Sequence, residues 1–518
     1  MDKRTVTAVI LSLIVLIGWS IIQKQLNPPA VPPPDGIPGE QIVSTPQVPD
    51  RQQRQQKEPL ATPVVSEPAV ITGDIGSSIV VETDLYKAVF STQGGVISYW
   101  ELKQYTEQGN NIPVVLLKEP GVIPPLSIIL EGPDRHMPQK LIYATNTQKI
   151  TLSDRGDTDG ELIFTYSGNG ITIKKKFVFY NDDYRVDLSI ETAGTPSFLL
   201  PVGTDFGIFD KEQREHKGPV ALVGTDREEF DDDDGPKFLT GNIKWIAQED
   251  KYFAAAIIPL SPVEGATLWQ EGATYGIALK LAPQKHDLVF YAGPKEYDRL
   301  KALNAGFEHI IDFGWFSVVA MPLFWVLKYF YGFFGNYGWS IILLTIVTRV
   351  PFIPILHKSQ QSMKKMQKIQ PLMKELKEKY KNDAAKLQKE TMAIYKKHKV
   401  NPIGGCLPMF LQIPVFIALY NVLLRAIELR GAPFVLWITD LSVKDPYYVL
   451  PIVMGATMVL QQKMTPTAMD PKQAKMMMFM PIIFTFMFLT FASGLVLYWL
   501  VNNTLGIIQQ YFVNKKAA

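Results

Sequence analysis

The stretch Ile341-Ile342-Leu343-Leu344-Thr345-Ile346-Val347-Thr348-Arg349-Val350-Pro351 decides how the chain is to be read. It belongs to an apolar run over residues 337–356, long enough to cross the hydrocarbon core of a bilayer as a helix, and it carries an arginine. At the centre of a lone transmembrane helix an arginine costs about 2.5 to 3.5 kcal/mol on insertion scales, so Arg349 is expected to face a partner or a water-filled cavity, or to snorkel to the interface. Thr345 precedes it by one turn and shares its face. The other apolar runs hold no acidic residue that would neutralise the arginine, so its charge is expected to be solvated and open to something anionic.

Working outward, further apolar runs at residues 406–426, 447–464, 476–491 and 494–512 predict four more spans. Ala492 and Ser493 alone separate the last two, which predicts an antiparallel helical hairpin. A sixth apolar run, residues 6–22, follows Lys3 and Arg4. No small-x-small pair of the cleavable type comes directly after it, so it is expected to remain as an anchor. Residues 314–334 are apolar but punctuated by Pro322 and Lys328 and crowded with aromatics, including Trp315, Phe324, Trp325, Tyr329 and Phe333; this predicts an interfacial helix lying along the membrane.

Between residues 358 and 399 there are thirteen lysines against four acids, whereas the loop over residues 430–446 has Arg430 and Lys444 as its only basic residues. The lysine-rich loop is therefore cytoplasmic, and an even number of spans puts both termini on that side, with the region between the first two spans outside. Within the loop, Met363, Met366, Ile369, Leu372, Leu376 and Tyr380 recur at helical spacing. Leu387, Met392, Ile394 and Tyr395 do the same beyond Tyr380-Lys381-Asn382-Asp383. Two helices folded into a hairpin are expected, their lysines forming either a solvated face or a docking surface for anionic partners such as ribosomal RNA or lipid headgroups.

A chain of 518 residues, 47% of them hydrophobic, exceeds one compact core, and its N-terminal part is of another kind. Residues 27–72 are crowded with prolines, Pro32-Pro33-Pro34 among them, and predict an extended linker. From residue 73 to about 303, short runs rich in Val, Ile, Phe and Tyr alternate with Gly, Asn and Asp turns, as in 78–82, 161–166, 171–179 and 184–190. Gly168-Asn169-Gly170 between two such runs is a hairpin signal, and the whole reads as a large antiparallel β-sandwich. The single cysteine, Cys406, excludes an intramolecular disulfide.

Catalytic and cofactor motifs are missing. The run Asp231 to Asp234 before Gly235 has Phe230 at the first ligand position of a calcium loop and lacks its glutamate, and Gly404-Gly405 lacks the Lys and Ser/Thr of a phosphate-binding loop. With no Cys/His cluster and no serine elbow, neither a cofactor nor an enzymatic activity is expected. Methionines gather near the cytoplasmic side, Met464, Met469, Met476, Met477, Met478 and Met480 among them, an adaptable apolar surface.

Residues Asn401-Pro402-Ile403-Gly404-Gly405-Cys406-Leu407-Pro408, Gln412-Ile413-Pro414-Val415-Phe416-Ile417-Ala418-Leu419-Tyr420 and Ala432-Pro433-Phe434-Val435-Leu436-Trp437-Ile438 resemble, in order and spacing, the YidC/Oxa membrane-protein insertase family. Asp445-Pro446-Tyr447-Tyr448, Phe479-Met480-Pro481 and Ser493-Gly494-Leu495-Val496-Leu497-Tyr498 extend the resemblance, which is to the Gram-negative form with a large periplasmic domain. The resemblance implies a mixed membrane protein. Residues 1–26 are then the transmembrane anchor, 27–72 the periplasmic linker, 73–313 an all-β supersandwich, 314–336 the interfacial helix and 337–518 a five-helix insertase core containing the cytoplasmic hairpin 358–400. It further implies a hydrophilic groove open to cytoplasm and lipid. Arg349 would be its arginine, Thr345 and Gln412 its polar neighbours, and Phe416, Met454, Met487 and Trp499 the residues that touch the incoming segment. Implied partners are nascent membrane proteins, the ribosome, the Sec translocon and lipid, in the inner membrane. A solute transporter or a membrane-tethered sugar-binding β domain are the competing readings. The first lacks repeated halves here, and the second leaves Arg349 and the lysine loop without a purpose.

Overall fold

The computed structural model describes residues 76–518 apart from 108–110, 120, 132–136, 205, 207–217, 231–234, 272–273, 382, 399, 401–406, 465–470 and 516–518. The anchor and linker expected over residues 1–72, the Asp231 to Asp234 run, Gly404-Gly405, Cys406 and Met469 lie outside the described residues.

Alternation of inward apolar and outward polar side chains builds the β region into three sheets. The first has the order β4-β3-β2-β1-β7, from β1 (Ser78–Glu82), β2 (Tyr86–Ser91), β3 (Val96–Thr106), β4 (Pro113–Leu117) and β7 (Lys149–Thr151). The second, of nine strands, runs β13-β12-β15-β16-β19-β10-β9-β8-β6 and is antiparallel throughout. Its strands are β6 (Ala144–Thr145), β8 (Asp159–Gly168), β9 (Ile171–Tyr180), β10 (Arg185–Ala193), β12 (Gly218–Val223), β13 (Asp226–Glu229), β15 (Ile243–Glu249), β16 (Phe253–Pro259) and β19 (His286–Pro294). The third joins β5 (Ile129–Leu130), β11 (Phe198–Pro201), β14 (Lys237–Leu239), β17 (Gly265–Glu271) and β18 (Thr274–Leu281). All three contribute to one core, with Phe90 and Trp100 from the first, Phe164, Phe177 and Phe290 from the second and Leu200 and Leu279 from the third.

The hairpin expected at Gly168-Asn169-Gly170 is present. Gly168 pairs with Ile171, and the two turn residues have φ of 54° and 76°, the left-handed pair that matches strand twist. On β9 the period-two pattern turns Ile173, Lys175, Phe177 and Phe179 inward, so a lysine is carried into the core. Lys175 is fully buried, and its ammonium donates to the carbonyls of Gly94 at 3.0 Å, Gly95 at 3.0 Å and Leu126 at 2.8 Å, with the Tyr143 ring 5.5 Å away. Two short helices, α1 (Met137–Lys140) and α2 (Tyr297–Ala302), interrupt the all-β pattern.

A 3-10 turn, Gly314–Phe316, leads into α3 (Ser317–Phe334). Ala320, Phe324 and Leu327 face inward, while Val318, Trp325, Tyr329 and Phe333 are exposed. Gly335 ends it in the left-handed conformation, its N–H donating to Tyr331 O. Asn336 then caps α4 (Tyr337–Arg349) by accepting from Trp339 N and holds the outer loop by donating to the carbonyls of Pro433 and Phe434. Pro351 breaks the regular ladder into a 3-10 turn before α5 (Ile353–Lys368).

The lysine-rich segment is helical but less regular than its apolar spacing implies. Pro371 opens a separate helix, α6 (Gln370–Lys379), and after the turn Asp383 caps α7 (Ala384–Lys397) by accepting from Lys386 N. Met373 and Leu376 are half-buried and Leu372 is exposed, because the break at Ile369 resets the helical phase, and Met392 of α7 is exposed as well.

The remaining helices are α8 (Leu407–Arg425), α9 (Val449–Met464), α10 (Pro471–Phe488) and α11 (Ser493–Lys515). Despite the short connection between them, α10 and α11 do not pack as an antiparallel hairpin. They share ring contacts near the turn and then diverge, each lying along α9. Ser493 explains the splay, because both its N–H and its hydroxyl bond to Val443 O in the outer loop and fix the start of α11 there. Among the described residues, Gly314–Phe334 and Tyr337–Lys368 are long and apolar enough to cross a membrane, and Phe410–Arg425 and Met478–Phe488 are shorter apolar helices. Neither α9 nor α11 meets that measure. α9 carries Gln461 and Gln462, and α11 carries Asn502, Asn503, Gln509 and Gln510; Gln461, Asn502, Asn503 and Gln509 belong to the site described next.

Candidate functional site

Arg349 stands at the last position of α4, half-buried, with its guanidinium turned toward α11. Nη1 donates to both the backbone carbonyl and the side-chain Oδ1 of Asn502, each at 2.7 Å, and Nη2 reaches Gln509 Oε1 at 3.5 Å. Hydrogen bonds from a charged donor contribute about 1.5 to 3 kcal/mol, enough to offset the insertion cost of the arginine without an acidic partner. The expected free charge is thus partly engaged, by neutral amides.

Asn502, Gly506 and Gln509 lie at i, i+4 and i+7, one face of α11. The glycine is what lets the helices meet, since a Cβ there would sit 3.2 Å from Arg349 Nη2 and 2.6 Å from Gln461 Nε2 of α9. One turn before Asn502 along α11, the Tyr498 hydroxyl accepts from Gln412 Nε2 of α8 at 2.7 Å. Beside it Trp499 meets the edge of Phe416 at 4.7 Å between ring centroids and packs against Phe488 at 5.3 Å. A polar seam therefore runs along α11 from Tyr498 to Gln509, about 16 Å at helical rise, flanked by an aromatic wall.

Of the residues singled out from the sequence, Arg349, Gln412, Phe416 and Trp499 come together on this seam. Thr345 is buried with its hydroxyl donating to Ile341 O at 2.6 Å, a bond within its own helix. Met454 is fully buried in the packing between helices, and Met487 is 45% exposed on the outer surface of α10. Asn502, Gly506, Gln509, Gln461 and Tyr498 are not evident as site residues from the sequence, because neutral amides, a glycine and a phenol carry no charge opposite to the arginine. Their signal is three- and four-residue spacing of small and amide residues inside an apolar run.

Several buried polar atoms of the seam have no partner: Trp499 Nε1, Asn503 Nδ2 and Gln509 Nε2. Leaving such a group unmade costs about 1 to 3 kcal/mol, so the seam retains hydrogen-bonding capacity that only water or a ligand can take up.

At its C-terminal end, α8 is tied to the β region. Arg425 donates to the backbone and carboxylate of Asp312, Asn421 donates to Phe313 O, and Arg430 lies 5.0 Å over the Phe253 ring while bonding Thr106 O. Buried Asp445 accepts from Trp437 Nε1 at 3.0 Å and caps α9 through Tyr447 N and Leu450 N, which gives the loop residues quoted from the sequence a structural purpose. Among the described residues no cluster of His, Cys, Asp and Glu is arranged to hold a metal ion.

A β-rich domain tied to a bundle of apolar helices, with an arginine held in an amide-lined seam, defines a class of membrane protein. The comparisons narrow it. The family model described as YidC periplasmic domain matches residues 78–326, and that described as 60Kd inner membrane protein matches residues 329–518. The membrane protein insertase YidC of Syntrophus aciditrophicus is 41% identical, with 100% of both chains covered, and that of Geotalea daltonii is 42% identical, with 99% of each covered. Among solved structures, an active YidC insertase with the first transmembrane domain resolved is similar at 19% identity, covering 86% of this chain and 94% of that one, with a TM-score of 0.39. The chain belongs to the YidC family.

Proposed function

We propose that this protein is a membrane protein insertase and chaperone, the activity its relatives are named for. The observation that carries the reading is the seam, a half-buried arginine held by neutral amides, with unpartnered donors beside it, inside a bundle otherwise apolar. A hydrophobic segment with a polar, often acidic, flank enters a groove along α4, α8 and α11 that is open to cytoplasm and lipid. Arg349 attracts the flank, Phe416 and Trp499 receive the apolar part, and the segment leaves sideways into the inner membrane. Burial of an apolar helix is itself favourable, so no nucleotide is required; the wet seam lowers the barrier for the flank.

In this reading five spans and an N-terminal anchor cross the inner membrane, both termini are cytoplasmic, and the β domain is periplasmic. The α6–α7 hairpin meets the ribosome through its lysines, and the protein acts alone or beside the Sec translocon. Site-specific crosslinking from Thr345, Phe416 and Trp499 to ribosome-bound nascent membrane proteins tests it. Crosslinks from Phe416 and Trp499 are expected, and silence at all three positions would sink the reading.

A further inference from the structure

We infer that the seam along α11 binds the incoming chain through its backbone carbonyl oxygens, an inference that rests on the insertase reading and names the chemistry the groove recognises. The unmet hydrogen-bonding capacity of the seam is one-sided. Trp499 Nε1, a donor only, is buried without a partner. Gln509 has its orientation set by Arg349, which donates to Oε1, so the unpartnered atom turned away is the amide nitrogen, a second donor. Asn503 Nδ2, one turn from Trp499, is a third. The Tyr498 hydroxyl accepts from Gln412 and retains its own proton, and Arg349 uses three of its five N–H groups on Asn502 and Gln509. Among the described residues of these helices the unpartnered buried amide oxygen is Gln360 Oε1, which belongs to α5 beyond the Pro351 turn.

A wall that offers donors and few acceptors discriminates among polypeptide conformations. A formed helix has used all its carbonyls except the last four, whereas an extended flank presents one at every residue. The seam therefore holds a chain whose carbonyls are still free and loses its grip as the helix completes. This supplies a release step that needs no input beyond folding of the client in lipid. It also accounts for recognition independent of sequence, since carbonyls are common to every client, and it extends to flanks without acids.

The test uses the full chain in phosphatidylethanolamine–phosphatidylglycerol proteoliposomes, with a photo-crosslinking phenylalanine analogue in place of Phe416. The probe is a synthetic peptide of one apolar segment and an uncharged flank, prepared with three flank backbones. These are native amide, N-methyl amide, which removes donors and keeps carbonyls, and ester, which removes the same donors and weakens the carbonyl acceptors. Crosslinking of the N-methyl peptide is expected within about two-fold of the native one, and that of the ester peptide at least about five-fold lower. Trp499→Phe, which keeps the ring and loses the N–H, is expected to lower the native yield about two- to three-fold. N-methyl and ester peptides falling equally, or equal yields from all three, would overturn the carbonyl inference and leave the insertase reading standing. No crosslink from the native peptide would overturn both.

Discussion

Two cations are carried into apolar surroundings in this chain, one in each half, and they are treated in opposite ways. Lys175 in the β region is fully buried, and three backbone carbonyls take its three N–H groups. Arg349 in the helical region is half-buried, with two of its N–H groups well placed on Asn502 and a third at the limit of bonding distance to Gln509. The lysine is saturated and clamps segments distant in sequence, the Gly94-Gly95 turn and the loop at Leu126. The arginine keeps donors in reserve. A buried charge that is fully satisfied is a structural device; in the proposed reading, one that sits among unpartnered donors is a receiving site. Both sit where hydropathy alone would place an apolar residue, so satisfaction, more than burial, separates architecture from function.

The largest effect is expected from breaking the saturated member. Lys175→Met keeps the bulk of the side chain and strips three buried carbonyls of their donor, so it is expected to destabilise the β region by about 3 to 5 kcal/mol. Urea unfolding of the full chain in detergent, followed by tryptophan fluorescence, checks this through Trp100 and Trp245 in the same core. An unchanged midpoint would mean that the carbonyls find other partners. The pH dependence comes next in size. Burial pushes the Lys175 ammonium from its ordinary 10.5 down to about 7. Between those values the unfolded chain binds the proton more than the folded one, so stability rises with pH over that window, by at most about 1.4 kcal/mol per pH unit. Below pH 7 this dependence disappears. Wild type compared with Lys175→Met at pH 7.5 and 9 isolates the slope, which is absent in the variant if the lysine is its source.

On the helical side the close approach is the vulnerable feature. Gly506→Val would place a branched side chain against Gln461 Nε2 and Arg349 Nη2, and overpacking of this kind costs about 1 to 3 kcal/mol. A lowered melting temperature together with lost crosslinking from Trp499 is expected, and Gly506→Ala should be milder, since the atom nearest its Cβ is the end of a flexible glutamine. A Val variant with wild-type crosslinking would show that the Arg349–Asn502 contact is dispensable.

How far the sequence reveals these features depends on the range of the interaction behind them. The β8–β9 hairpin is legible because strand alternation and the Asn169-Gly170 turn are local rules. The same alternation turns Lys175 inward, but its carbonyl partners lie 49 to 81 residues away and only the folded sheets bring them near. Arg349 is conspicuous because a charge inside an apolar run is expensive on sight. Its partner is 153 residues distant and is an amide, which leaves no trace in a search for opposite charge. The splay of α10 and α11 likewise comes from a bond between Ser493 and Val443, fifty residues back in the chain. Pro371 opens a separate helix, and the apolar spacing that continues on either side of it hides the break.

The smallest effect on stability is expected where the effect on function is greatest, at Arg349. Arg349→Leu removes a charge whose bonds go to groups with other options: the Asn502 carbonyl is already within a helix, and the Asn502 and Gln509 amides border a seam with unmet donors. The apolar replacement also relieves the insertion cost of the arginine, and these terms oppose one another, so unfolding should shift by less than about 1 kcal/mol. Insertion of a client with an acidic flank should nevertheless fall at least about five-fold, and that of a neutral-flank client less, because the remaining donors of α11 still serve its carbonyls. Arg349→Lys keeps the charge and loses the planar fork that spans Asn502 and Gln509, so it should recover part of the acidic-flank activity. Insertion assays on paired clients, with the melting temperature measured on the same preparations, separate the outcomes. A large stability loss in Arg349→Leu would make the arginine a structural cation like Lys175, and equal losses for both flanks would turn its role from attracting charge to hydrating the seam.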